Sequence, residues 1–287
     1  MLNSNEKQML LDLFHVYGPS KGEEPVLSYI KEILDTYQIP YKQDKNGNIY
    51  CLNHKNEPLL SAHTDCVGTE ESGAYVKLID IYPYGDEEIL KGIGNIGGDD
   101  KCGVFLILLY LISKKPINAF FSVEEEIGGF NGITTLLKEI KDDEVFKTIP
   151  YCLVLDRKNP GDIICEKNSY GSKKFDEALE EIGAEFGYKS VKGGSSDTDK
   201  IKEYMNACNL SVSYYNPHST TEFVSLNDLY NTWLYIQRII EKLPRDIPLE
   251  KKPTTYNYNY NYNYGGYYRN KNNLNSYGAE DWDYYGY

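Results

Sequence analysis

Four short apolar runs in this chain each stop at a histidine or a carboxylate. Pro58-Leu-Leu-Ser-Ala leads into His63-Thr-Asp65, and Ile117-Asn-Ala-Phe-Phe-Ser-Val leads into Glu124-Glu125-Glu126. Tyr151-Cys-Leu-Val-Leu runs into Asp156, and Leu210-Ser-Val-Ser-Tyr precedes His218. Apolar runs of this length bounded by turn residues predict buried strands, and the amphipathic stretches between them predict helices. Strands alternating with helices make an α/β protein, a three-layer α/β/α sandwich whose mixed sheet is mostly parallel and covered on both faces. Such a fold assembles its site in the crevice where the strands end. The four runs are therefore expected to deliver their histidines and carboxylates to one edge.

Helices are expected over residues 4–17, 23–37, 100–113, 130–141, 172–187, 197–206 and 226–243. Lys45-Asn46-Gly47-Asn48 predicts a hairpin turn between strands near Tyr41 and Ile49-Tyr50-Cys51, and residues 75–81 with 88–91 predict a second hairpin. Past Pro248 the composition shifts. Tyr256-Asn-Tyr-Asn-Tyr-Asn-Tyr-Asn-Tyr264 and its continuation hold 11 of the 28 tyrosines, so residues 1–247 are expected to form the folded domain and 248–287 a disordered low-complexity tail. Tracts of this kind self-associate, which makes clustering through the tail an expectation.

The net charge is −13, and the residues from Arg245 onward are balanced at five basic and five acidic. The whole excess therefore lies in the part that carries the carboxylate clusters, which argues against nucleic acid or an anionic membrane as partner. Six scattered cysteines without a Cys-x-x-Cys pair predict reduced thiols. The N-terminus is polar, and the longest apolar run, residues 104–112, is far below the roughly 20 residues a membrane span needs. A cytoplasmic protein is expected.

The motifs at the strand ends suit metal binding. In His63-x-Asp65 the imidazole can ligate while the carboxylate takes the hydrogen bond of the other ring nitrogen. Gly97-Gly98-Asp99-Asp100-Lys101-x-Gly103 opens the most apolar helix, where acidic residues also suit the helix dipole. Three successive glutamates after a buried strand repel one another unless a cation lies between them. Two divalent cations against Asp99, Glu126, Asp156 and one hydroxide, with His63 and His218 neutral, form a balanced set. A mixed nitrogen and oxygen donor set suits zinc, with cobalt or manganese as alternatives.

In this order, Ser61-Ala-His63-Thr-Asp65, Gly98-Asp99-Asp100-Lys101-Cys-Gly103, Val123-Glu-Glu-Glu-Ile-Gly128, Leu155-Asp156, Lys192-Gly-Gly-Ser-Ser-Asp197 and His218-Ser-Thr-Thr-Glu-Phe-Val224 resemble the dizinc exopeptidase superfamily. That superfamily includes peptidase T, glutamate carboxypeptidase and the tetrahedral and single-domain aminopeptidases. The resemblance implies the zinc-exopeptidase (phosphorylase/hydrolase-like) fold and two zinc ions bridged by Asp99. His63 and Asp156 would complete one site, and Glu126 and His218 the other. Glu125 would be the general base, Asp65 would orient His63, and Glu124 would be spare. Ser195, Ser196, Asp197 and Tyr215 are candidates for the substrate pocket. The gaps of 36 positions from His63 to Asp99 and 62 from Asp156 to His218 leave no room for the inserted domains of peptidase T or the tetrahedral enzymes, so the chain resembles a bare catalytic domain. An aminopeptidase acting on small peptides through a metal-bridged water is the leading expectation. A carboxypeptidase, dipeptidase or N-acyl amidohydrolase of the same fold is the alternative, and a non-catalytic scaffold using the tail is a third.

Overall fold

The computed structural model describes residues 1–68 and 76–250. The tail from Lys251 onward and Tyr75 lie outside them. The main sheet has eight strands: β1 (Lys42–Gln43), β2 (Ile49–Cys51), β3 (Leu59–His63), β6 (Asn118–Ser122), β7 (Tyr151–Arg157), β8 (Asp162–Ile164), β9 (Lys189–Ser190) and β10 (Asn206–Ser211). Their spatial order is β1-β2-β6-β3-β7-β10-β8-β9. The four central strands β6, β3, β7 and β10 run parallel, and antiparallel pairs enter only toward the edges, at β1/β2, β2/β6 and β10/β8.

Side-chain alternation along the central strands divides the interior into two cores. On β7, Tyr151, Leu153 and Leu155 enter the larger core and Cys152 and Val154 the smaller. The larger is covered by α1 (Ser4–Phe14), α2 (Glu24–Thr36), α3 (Gly98–Ile112), α5 (Lys173–Gly183) and α7 (Leu226–Lys242). The smaller is covered by α4 (Ile133–Ile140) and the single turn α6 (Thr198–Ile201). Every residue of α3 from Gly98 to Leu111 is buried. A helix apolar on all sides belongs inside, and α3 packs against both β3 and β7.

Four expected helices are clearly shorter than anticipated, the one at 4–17 ending at Phe14 with His15 as its C-cap. The helix at 130–141 starts only at Ile133, because Gly128 and Gly129 take left-handed φ of 102° and 59°. The helix at 172–187 stops at Gly183 and continues as a 3-10 turn, Ala184–Phe186. The helix at 197–206 is a single turn because Asn206 already belongs to β10. All six cysteines are free and buried. Among the described residues, no helix is long and apolar enough to cross a membrane.

The sequence did not announce a second sheet. β4 (Asp80–Tyr84) and β5 (Glu87–Lys91) form the expected hairpin, shifted: residues Val76–Leu78 are a 3-10 turn, and the chain reverses at Gly85-Asp86. Gly85 has φ +62°, the conformation a two-residue hairpin turn demands of its first residue. β5 pairs with β12 (Phe223–Ser225), and β12 pairs with β11 (Tyr214–Tyr215), all antiparallel. His218 therefore lies in the loop of the β11–β12 hairpin. It is not at the end of a main-sheet strand, because β10 stops at Ser211 and the chain crosses to the other sheet before reaching it.

Candidate metal centre

β3 ends at His63, whose ring is 2% exposed. Its Nδ1 lies 3.0 Å from the Asp65 carbonyl oxygen and 3.3 Å from Asp65 Oδ1. With Nδ1 donating to Asp65, the lone pair of Nε2 is left facing outward. Nε2 is 3.1 Å from Asp99 Oδ1 and 3.6 Å from Asp156 Oδ1. Asp156 stands near the end of β7, where the Tyr214 hydroxyl donates to its Oδ1 at 3.3 Å.

Asp99 precedes the helical part of α3: its φ/ψ of −80°/103° is extended, and a cis peptide joins it to Asp100. Its second oxygen, Oδ2, is 3.2 Å from His218 Nε2, which is itself 2.9 Å from Glu126 Oε1. The two oxygens of one carboxylate thus face two different partner pairs, His63/Asp156 and His218/Glu126. Asp100 is employed differently. It accepts the His63 N–H at 3.2 Å and the Gly103 N–H at 3.0 Å, fixing the end of β3 against the start of α3.

The glutamate turn is held by its backbone. Asp65 Oδ1 accepts from Glu125 N–H at 2.9 Å and Oδ2 from Glu126 N–H at 3.2 Å. Ser20 donates its hydroxyl to the same Oδ2 at 2.7 Å, and buried Glu23 accepts the Glu124 N–H at 3.1 Å. The Glu124 carboxylate is turned to Asn131 at 2.8 Å. In the sequence Ser20 and Glu23 carry no signal beyond a polar Gly-Pro-Ser-Lys-Gly-Glu stretch at the start of a helix.

The remaining expected site residues divide. Asp197 is buried, takes a hydrogen bond from Ser122 Oγ at 2.5 Å, and has a charge that acts on Glu125. Ser195 gives its hydroxyl to Asp199 and Ser196 to Thr198, both at the start of α6. Tyr215 turns away from the cluster: its ring stacks on Phe223, and its hydroxyl meets Asp228 Oδ2 at 2.5 Å. Strand alternation instead points its neighbour Tyr214 at Asp156.

So many acids close together shift one another. Burial, joined by the charge of Asp99, raises Asp156 to about 7. Burial, joined by Asp156, Asp197 and Glu126, raises Glu125 to about 9. Hydrogen bonds to Asp99 and Glu126 lift His218 to about 10. His63 also rises well above its usual value, because its bonds to Asp156, Asp65 and Asp99 outweigh a burial that alone would lower it. A cluster that pushes Asp156 and Glu125 toward the neutral form and both imidazoles toward the cation is short of positive charge, and a bound cation would supply it. The donor atoms also fit one. Those of His63, Asp99 and Glu126 lie within 4.8 Å of one another, as do those of His63, Asp100 and Asp156. Tetrahedral zinc with bonds of about 2.0–2.2 Å sets its ligand atoms roughly 3.3–3.6 Å apart, close to the separations around Asp99.

No family model matches the chain. A LysW-lysine/LysW-ornithine hydrolase of Saccharolobus islandicus is 24% identical over 168 residues, which are 58% of this chain and 43% of the relative. The chain thus spans less than half the length of the curated relative it matches. Three solved structures are similar over most of the chain. A tripeptidase of Staphylococcus aureus aligns with TM-score 0.67 and 14% identity, covering 84% of this chain and 98% of the other. An aminopeptidase of Desulfurococcus kamchatkensis aligns with TM-score 0.62 and 16% identity, covering 84% and 96%. A TET1 peptidase of Pyrococcus horikoshii, which can assemble into a tetrahedron or a large octahedral shell, aligns with TM-score 0.61 and 16% identity, covering 82% and 99%. What is shared at these identities is the fold.

Proposed function

We propose that this chain, whose fold is that of the zinc exopeptidases, is a metal-dependent hydrolase of peptide bonds, most simply an aminopeptidase of small peptides. The observation that carries the reading is the placement of Asp99, with one oxygen toward His63 and Asp156 and the other toward His218 and Glu126. In this reading those five residues hold two zinc ions. Bound zinc would acidify a water and polarise the scissile carbonyl.

The protein's own residues supply the rest. Glu125 sits beside Glu126 on a turn whose N–H groups Asp65 holds, and its carboxyl, ionised once bound cations supply the missing positive charge, would take the water's proton and pass it to the leaving amine. Asp65 also keeps the His63 proton on Nδ1. The excess negative charge around the centre attracts the ammonium of a peptide N-terminus. Residues 1–247 form the catalytic domain in this account, and self-association is assigned to the tail.

A second reading is favoured by the Saccharolobus relative, named for hydrolysing LysW-lysine and LysW-ornithine. Here the amide cleaved would release a basic amino acid, and the same acidic surroundings would bind its ammonium. A panel of aminoacyl-amides, N-blocked dipeptides and N-acyl amino acids, including acyl-lysine, separates the two. Turnover of the free-amine substrates alone supports an aminopeptidase, and turnover of the acylated ones alone supports the second reading. No turnover of any member by zinc-loaded protein would overturn both.

A further inference from the structure

Glu222 lies four residues past His218 in the same hairpin and is 2% exposed. Its carboxylate accepts three backbone N–H groups from a single segment. Oε2 takes those of Ile96 at 3.0 Å and Gly97 at 2.8 Å, and Oε1 takes that of Asp99 at 3.2 Å. The opposite polarity of the segment is held from the other side: buried Lys101 directs Nζ at the Ile96 carbonyl, 3.4 Å away, and at that of Phe14 at the same distance. Between these charges, Gly97 and Gly98 bring no side chains of their own. A Cβ at Gly98 would lie 2.9 Å from Tyr214 Cβ and 3.0 Å from Glu222 Oε1, so the hairpin rests directly on this backbone.

We propose that Glu222 is a positioning residue for the metal centre. It sets the rotation of the Asp99 backbone, and so the direction of its two carboxylate oxygens, and it fastens the hairpin carrying His218 to the segment carrying Asp99. One contact thereby fixes the bridging carboxylate relative to a ligand more than a hundred positions away in sequence. The inference rests on the metal reading above. A carboxylate serves here where an amide would not. Glutamine keeps the size but turns one acceptor into a donor, so either the Asp99 N–H or the Ile96 and Gly97 pair would face another N–H.

The test is zinc and cobalt binding by the full chain and by Glu222→Gln and Glu222→Asp. Glu222→Gln should weaken metal binding about 10- to 100-fold, the usual cost of losing a group that orients a ligand. It should also change the visible absorption of the cobalt-loaded protein, while the metal-free form keeps its far-UV circular dichroism and cooperative unfolding. Glu222→Asp, which retains two acceptor oxygens, should recover part of the affinity. Wild-type affinity and an unchanged cobalt spectrum in Glu222→Gln would overturn the proposal. So would failure of both variants to fold, which would make Glu222 a folding residue. Wild-type chain that takes up no metal would instead overturn the metal reading itself.

Discussion

The two halves of the centre are built by opposite means. His63 and Asp156 come from adjacent parallel strands of the main sheet, their side chains 2% and 9% exposed. His218 comes from a hairpin loop of the small antiparallel sheet, with φ +61° and a side chain 45% exposed. Asp99 and Glu126 stand between, each touching the His218 ring. The buried half inherits its geometry from the sheet, and the exposed half depends on a few polar contacts. The first is therefore hard to perturb without unfolding the protein, and the second can be adjusted alone.

The largest effect is expected at the glutamate turn. Glu125→Ala should lower kcat by about 10²–10⁴ while metal content, measured by mass spectrometry, stays at the wild-type value. Lost metal would place Glu125 among the ligands. In the exposed half, His218→Ala should release only the metal of the His218/Glu126 pair, leaving one equivalent bound. Chelator stripping of the wild type should be biphasic, with that metal leaving first. Loss of both metals in one phase would erase the distinction between the halves. In the buried half, Asp65→Asn disturbs the His63 ring and the glutamate turn together, and should reduce metal affinity or turnover about 10- to 100-fold.

Protons act on both halves. In the cation-free chain His218 is raised to about 10, His63 well above its ordinary value and Asp156 to about 7, so at neutral pH a metal must displace an imidazole proton in each half. Metal affinity should rise with pH by on the order of tenfold per unit for each proton displaced. The slope should be steeper below pH 7, where Asp156 also carries a proton, and should level off near pH 10. An affinity flat between pH 6 and 9 would contradict this. Smallest of all should be the effect of deleting residues 251–287, which ought to leave metal binding and turnover unchanged while abolishing any self-association seen in sedimentation. The cut belongs after Glu250, where the compact unit that begins at Met1 ends.

What the sequence disclosed follows the same division. β3, β6 and β7 are contiguous apolar runs, so the sequence alone sets their ends, with His63, Glu124–Glu126 and Asp156, at one sheet edge. The small sheet joins strands of two to five residues, three of them largely exposed or drawn from distant parts of the chain, and no local pattern marks such pairing. His218, expected at the edge of the main sheet, therefore stands in a hairpin of the small one, and Tyr214 rather than Tyr215 faces Asp156. Glu222 stood within a recognised motif, but nothing in its neighbours says that its carboxylate caps a backbone segment across the fold. Ser20 and Glu23 escaped for the same reason, since hydrogen bonds to distant N–H groups leave no periodicity.

In the proposed reading Asp99 would offer one oxygen to each of two metals. Native mass spectrometry of chelator-stripped chain reloaded with zinc tests it most directly, comparing wild type with Asp99→Asn. The account predicts two zinc ions per wild-type chain and weakened binding of both in the variant. Wild-type chain holding no zinc, or a variant that loses only one of two, would contradict it.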